Sequence, residues 1–297
     1  MAEAVRDERS AARRLGSPFM PPSFLQSYMT TPEQVRSYIT SKFGVADPGA
    51  LRVLDISRHT AEFSTLLGPA AGDILARSPP MAVAVPDAVF DQMAGALGGD
   101  ASAMGFYQRG SNVVFVRASL AGEPPRFEST MRHELAHYLS YSARHGAMSH
   151  TTLSAPDGTS KPLFASWLEE GLSDFASYHA AGGNHRLIYP LLVSTLSLLA
   201  NAIGEDVMLR AFSSGDYAGM AQAVDRRFGD GAFRMLVQEE DPLLLMHHVL
   251  RLGGLPASRP GPIDPRIWSD IQMYAANVAS VYGPWRPVQQ QNSGGGG

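Results

Sequence analysis

Arg126-Phe-Glu-Ser-Thr-Met-Arg-His133-Glu-Leu-Ala-His137-Tyr-Leu-Ser-Tyr-Ser142 is the stretch on which the fold turns. It follows Pro124 and Pro125, residues suited to a helix start, where a missing N–H costs nothing. Phe127, Met131, Leu135, Tyr138 and Leu139 recur at helical spacing and form one apolar stripe. At about 100° per residue, His133 and His137 project roughly 150° from the centre of that stripe. A histidine that merely fills a core belongs on the stripe. Two histidines one turn apart on the polar face lie one above the other, near enough to share an ion. With Glu134 between them they spell His-Glu-x-x-His, in which two imidazoles can hold a metal while the glutamate serves as base. The competing reading is a solvated helix face with two idle histidines.

A catalytic metal site of this kind needs a third protein ligand and an open position. Position 140 is Ser140, which excludes a His-x-x-Gly-x-x-His continuation. The best-placed acids lie in Trp167-Leu-Glu169-Glu170-Gly-Leu-Ser173-Asp174. Ser166-x-x-Glu169 reads as a capping box, with Glu169 reaching back to the helix start. Glu170 and Asp174 are one turn apart, opposite an apolar face of Trp167, Leu168, Leu172, Phe175 and Ala176. Two helices packed in a V, polar faces inward, bring Glu170 to the histidine pair. Asp174 then suits an outer position, accepting the spare N–H of a ligating histidine. An ordinary exposed acid is the plainer alternative for it.

Outward from these two helices the pattern changes once. Upstream it is mixed. Leu51–Ile56 is expected as a strand, Thr60–Ala76 as a helix, Met81–Val85 as an interior strand stopped by Pro86, and Asp87–Leu97 as a helix. Gly105–Gln108 and Asn112–Arg117 suit two strands around a turn at Arg109-Gly110-Ser111. Downstream, segments 167–180, 190–203, 217–228, 231–239, 242–252 and 264–281 carry helical signals. The expectation is an α+β protein: a small twisted mixed sheet with the active helix, then a mostly helical part. Its divisions are a mobile charged arm (1–20), an α/β region (21–155), a helical region with the third ligand (156–255), a C-terminal segment with one helix (256–283) and a flexible Gly-rich tail (284–297).

Composition narrows the chemistry further. With 297 residues, 44% apolar and 18% charged, the chain can bury a large core. A net charge of −4 argues against nucleic acid as a partner. There is no cysteine, so any metal must be held by nitrogen and oxygen, with nine histidines available. His145 and His150 fall in a Gly/Ser/Thr/Pro-rich segment, 143–162, that suits a cleft rim. His247 and His248 are adjacent on a helix and diverge. No membrane span is expected, because Pro190–Ile203 is short of the roughly 20 residues a span needs and is broken by Ser194, Thr195, Ser197 and Asn201. Met1–Arg14 lacks the apolar run of a signal peptide, which makes the cytoplasm the expected compartment. Export by a route not visible in this chain is the alternative.

Thr130-x-x-His133-Glu134-x-x-His137, followed by Trp167-Leu168-x-Glu170-Gly171-Leu172-Ser173-Asp174, resembles the gluzincin metallopeptidases, and more narrowly a peptidase MA-like domain. The likeness covers roughly residues 50–240 and is specific at the two motifs. It implies a zincin-like fold and one zinc per chain, held by His133, His137 and Glu170, with Asp174 behind them. It implies hydrolysis of peptide or protein substrates by a metal-activated water, with Glu134 as general base. It also implies substrate binding along an edge strand before the active helix, for which 112–117 is the candidate. A donor for the developing oxyanion is expected from the second half: His179, His185, Tyr189 and Tyr217 are available, and Tyr189 is the one named. The aminopeptidase branch carries a Gly-x-Met-x-Asn strand that Ala103-Met104-Gly105 does not reproduce, so the resemblance points to an endopeptidase. A domain of this kind that has lost turnover and serves as a scaffold is the alternative. Oligomeric state is not legible.

Overall fold

The described residues of the computed structural model are 29, 31–45, 47–96, 102–108, 112–143, 152–154, 160–162 and 166–285. They form twelve helices, a four-stranded mixed sheet and a two-stranded hairpin, an α+β arrangement. The expected N-terminal arm, the 109–111 turn, His145, His150 and all but the start of the C-terminal tail lie outside the described residues.

Helix α1 (Pro32–Phe43) opens on a reciprocal cap, in which Gln34 N–H donates to Thr31 Oγ1 and Thr31 N–H donates to Gln34 Oε1. Strand β1 (Arg52–Leu54) is shorter than expected. The helix expected over Thr60–Ala76 is two helices, α2 (Ser57–Leu67) and α3 (Pro69–Arg77). Gly68 breaks them with φ 70°, and Pro69 starts the second. Strand β2 (Met81–Val85) and helix α4 (Asp87–Ala96) fall where expected. Strands β3 (Gly105–Tyr107) and β4 (Val113–Arg117) pair antiparallel and precede α5 (Pro124–Ala143), the helix that carries His133 and His137.

The sheet order is β1-β2-β4-β3, with β2 and β4 parallel and both outer pairs antiparallel. This corrects the expectation for 112–117. Strand β4 is paired on both sides, and the edge beside α5 is β3. Residue alternation sorts the two faces. Val83, Val85, Val113 and Phe115 pack with Val35 and Ile39 of α1 and Phe90 and Met93 of α4. Ala82, Ala84, Val114 and Val116 face Met131 of α5. The two alanines are small, which lets α5 close on that face.

The other side of α5 meets the helical part. Helix α6 (Ser166–Ala180) lies against it, followed by α7 (Pro190–Ile203), α8 (Glu205–Ser214), α9 (Tyr217–Phe228), α10 (Ala232–Val237), α11 (Pro242–Gly253) and α12 (Pro265–Tyr282). One apolar core runs from Phe63 and Leu135 through α6 and α7 to Val278 of α12. Helix α7 is buried along most of its length, as its composition requires. Among the described residues no single helix is long and apolar enough to cross a membrane. Helix α8 and the hairpin of β5 (Thr152–Ser154) and β6 (Ser160–Pro162) were not foreseen. The first starts directly at Gly204, and the second lies in a segment rich in turn residues.

Candidate metal centre

Helix α5 is enclosed by the sheet on one side and helices on the other, so its polar face is buried rather than solvated. His133 is 3% exposed and Glu134 8%. Helix α6 supplies the facing groups. Its N-terminal turn is fixed by Trp167, whose indole N–H donates to Leu236 O at 3.1 Å. Gly171 lets α7 approach closely: a Cβ there would lie 3.0 Å from Leu196 Cδ1 and 3.3 Å from Leu192 Cβ. The residue before it, Glu170, faces α5. The capping role expected of Glu169 depends on the Ser166 side chain, which lies outside the described residues.

The result is a triangle of donor atoms. His133 Nε2 is 3.0 Å from Glu170 Oε2, His137 Nε2 is 3.2 Å from the same oxygen, and the two imidazole nitrogens are 3.0 Å apart. Tetrahedral ligands about 2.0–2.2 Å from one zinc lie about 3.3–3.6 Å from each other. The three atoms are therefore within a few tenths of an ångström of the spacing one ion requires. All three offer nitrogen or oxygen lone pairs, the donor set that zinc takes in a chain without cysteine.

No protein-family model, curated protein or solved structure matches the chain.

The groups behind the triangle come mostly from α6. His137 Nδ1 is 3.1 Å from Ser173 Oγ. Asp174 Oδ1 faces His133 Nδ1 at 3.7 Å, longer than a hydrogen bond. The nearest partners of Asp174 are instead His185 Nε2 at 2.7 Å on Oδ1, and the N–H groups of Ile188 and Tyr189 at 2.9 and 2.8 Å on Oδ2. Asp174 is thus a fully buried anchor, not the exposed acid of the plainer reading. Burial alone would raise its pKa, and its histidine partners reverse this and hold it well below the ordinary carboxylate range. Glu170 behaves alike: burial opposes its charge, and His137 and His133 keep it ionised. Burial works to lower the pKa of His133, but Asp174, Glu170 and Glu134 overcome it and raise it to about 10.

Glu134 sits between α5 and the edge strand. Burial pushes its carboxyl up, Glu170 adds to this, and the histidines together with the Tyr107 N–H work the other way. That N–H is available because of strand parity. Gln108 N–H donates to Val113 O and Arg117 N–H donates to Met104 O, so the intervening backbone groups of Gly105 and Tyr107 point away from β4. Gly105 is required by crowding. A Cβ there would meet Thr130 Cγ2 at 2.7 Å and Glu134 Cγ at 2.9 Å.

Tyr189 is brought to the site. Its ring centroid is 5.5 Å from that of His133, and its hydroxyl feels the negative charge of Glu170. Burial and then Glu170, Glu134 and Asp174 hold its pKa well above the ordinary value, so it keeps its proton. The other oxyanion candidates are elsewhere. His179 pairs with Glu205 at 3.1 Å, Tyr217 is buried in the helical core, and His185 turns its Nε2 into Asp174. Three contributors had escaped sequence reasoning. Ser173 could have been found, being one turn from Glu170. Tyr107 acts through its backbone, and the pairing of His185 with Asp174 depends on a loop path; neither leaves a motif.

Proposed function

We propose that the chain is a zincin-like zinc metallopeptidase of the gluzincin kind, cleaving internal peptide bonds of peptide or protein substrates. The observation that carries the reading is the convergence of His133 Nε2, His137 Nε2 and Glu170 Oε2 at 3.0–3.2 Å beside a buried Glu134. A zinc held there supplies a Lewis acid for the scissile carbonyl and brings the pKa of a bound water down toward about 7. Glu134 takes the proton from the attacking water and passes it to the leaving amine. Tyr189, which keeps its proton in this acidic surrounding, donates to the oxygen that gains negative charge. Ser173 holds the far side of the His137 imidazole, and the Asp174 carboxylate faces that of His133 from 3.7 Å. The outward backbone groups of Gly105 on the edge strand offer an extended peptide a place to pair, which supports β-addition at β3.

Metal analysis of the purified chain and of Glu170→Ala, with digestion of a broad peptide library, tests this reading. One zinc per chain, lost in the variant, and cleavage by the metal-loaded wild type are expected. Zinc binding without cleavage of any library member would favour a scaffold domain, and absence of zinc would end the metal reading altogether.

A further inference from the structure

Asp174 has more partners than a simple backing group for a ligating histidine needs. Its Oδ2 accepts the N–H groups of Ile188 and Tyr189, which fixes the backbone that presents the Tyr189 ring. Its Oδ1 faces His133 and accepts from His185 Nε2 at 2.7 Å, with both side chains fully buried. An ionised carboxylate only accepts, so His185 carries its proton on Nε2. Its Nδ1 has no hydrogen-bond partner among the described residues, so Asp174 is the one polar group that accounts for a buried imidazole here.

The path of the chain serves the same contact. Gly182 and Gly183, with φ 58° and 80°, reverse the chain after α6, so that residue 185 returns onto residue 174. Arg186 N–H then donates to Ser129 Oγ at 2.9 Å, tying this segment to α5 one turn before His133. Without His185, the Asp174 carboxylate keeps only the two bonds on Oδ2 and can swing about them. Its distance to His133 is then no longer set.

We infer that His185 is a positioning residue for this site: it locks the Asp174 carboxylate, which in turn sets the negative charge facing His133 Nδ1 from 3.7 Å on one side and holds the Tyr189 segment on the other. The inference rests on the zinc reading above and goes beyond it by placing one control point outside the ligand set.

The test measures zinc affinity, by competition with a chromophoric chelator, and kcat and KM on a cleaved peptide, in full-length His185→Leu and His185→Gln. His185→Leu is expected to weaken zinc about tenfold and lower kcat about tenfold, with KM within about twofold, in the range of outer-shell substitutions. The glutamine amide can reach the place of Nε2, so His185→Gln is expected to restore both to within about threefold. A folded His185→Leu with wild-type zinc affinity and kcat overturns the inference, as does a His185→Gln no better than the leucine variant. Should His185→Leu not fold, His185→Asn is read the same way, since its shorter amide falls short of Asp174. A wild-type chain that binds no zinc overturns this inference and the zinc reading together; unchanged zinc affinity and kcat in every variant overturn this inference alone.

Discussion

Replacing Gly105 by alanine adds one methyl group between the edge strand and Glu134, the proposed base. That methyl carbon would lie 2.7 Å from Thr130 Cγ2, 2.9 Å from Glu134 Cγ and 3.1 Å from Phe115 O. Comfortable carbon–carbon contact begins near 3.5 Å, so the overlaps are about 0.8 Å and about 0.6 Å. Phe115 belongs to a strand paired on both sides and does not yield. Relief must come from β3 or from the Glu134 stem, each moving by roughly the size of the overlap. Overpacking of this kind costs about 1–3 kcal/mol of stability, and a shift approaching 1 Å at a reacting group costs up to about 100-fold in rate. Peptide hydrolysis and thermal melting are measured together on Gly105→Ala. The expected result is kcat/KM lower by about 10–100-fold, with one zinc still bound, because the three atoms nearest the new methyl belong to none of the proposed ligands. Gly105→Ala combined with Thr130→Ser removes the closest clash but not the one with Glu134. It should regain stability without regaining rate. Wild-type kcat/KM in folded Gly105→Ala, or loss of zinc from it, would refute the placement of Glu134 against this strand.

Three further outcomes are expected. Zinc at 100 times its Kd adds about 2.7 kcal/mol to the folded state, so Tm should rise by several degrees and fall again with a chelator; a Tm indifferent to both contradicts the site. Glu62 is opposed by burial but held to about 2 by Arg132 and His59, below its ordinary 4.5. It contributes about 3 kcal/mol of stability that is present above pH 4.5 and lost as pH falls toward 2; urea unfolding of Glu62→Gln should lack that acid-dependent loss. Asn112 donates to Met29 O and Pro79 O and accepts from Met29 N–H, so Asn112→Ala leaves buried groups unpaired and should cost about 1–3 kcal/mol in unfolding experiments, with zinc affinity unchanged.

The groups that meet at the candidate metal centre were legible because each is repeated at helical spacing. His133 and His137 are one turn apart on α5, Glu170 and Asp174 one turn apart on α6, and both pairs lie off their apolar stripes. The order of elements was legible for the same reason, as with Met81–Val85 and Pro190–Ile203, whose observed bounds coincide with the expected ones. Sheet position was not, because Asn112–Arg117 has the same apolar alternation whether it is paired on one side or two. Only the register with β2 and β3 shows that β4 is interior. The break at Gly68-Pro69 could have been read from that dipeptide alone. The partnership of Asp174 with His185 could not, since it depends on two left-handed glycines turning the chain back. The hold of the Tyr107 N–H on Glu134 has no side-chain signature.

The most direct measurement is digestion of a peptide substrate by zinc-loaded wild type and by Glu134→Ala at matched zinc content. The account predicts that the variant binds one zinc per chain as the wild type does and loses about 10²–10⁴-fold in kcat, the share of a general base. Turnover at the wild-type rate in the zinc-loaded variant would contradict it.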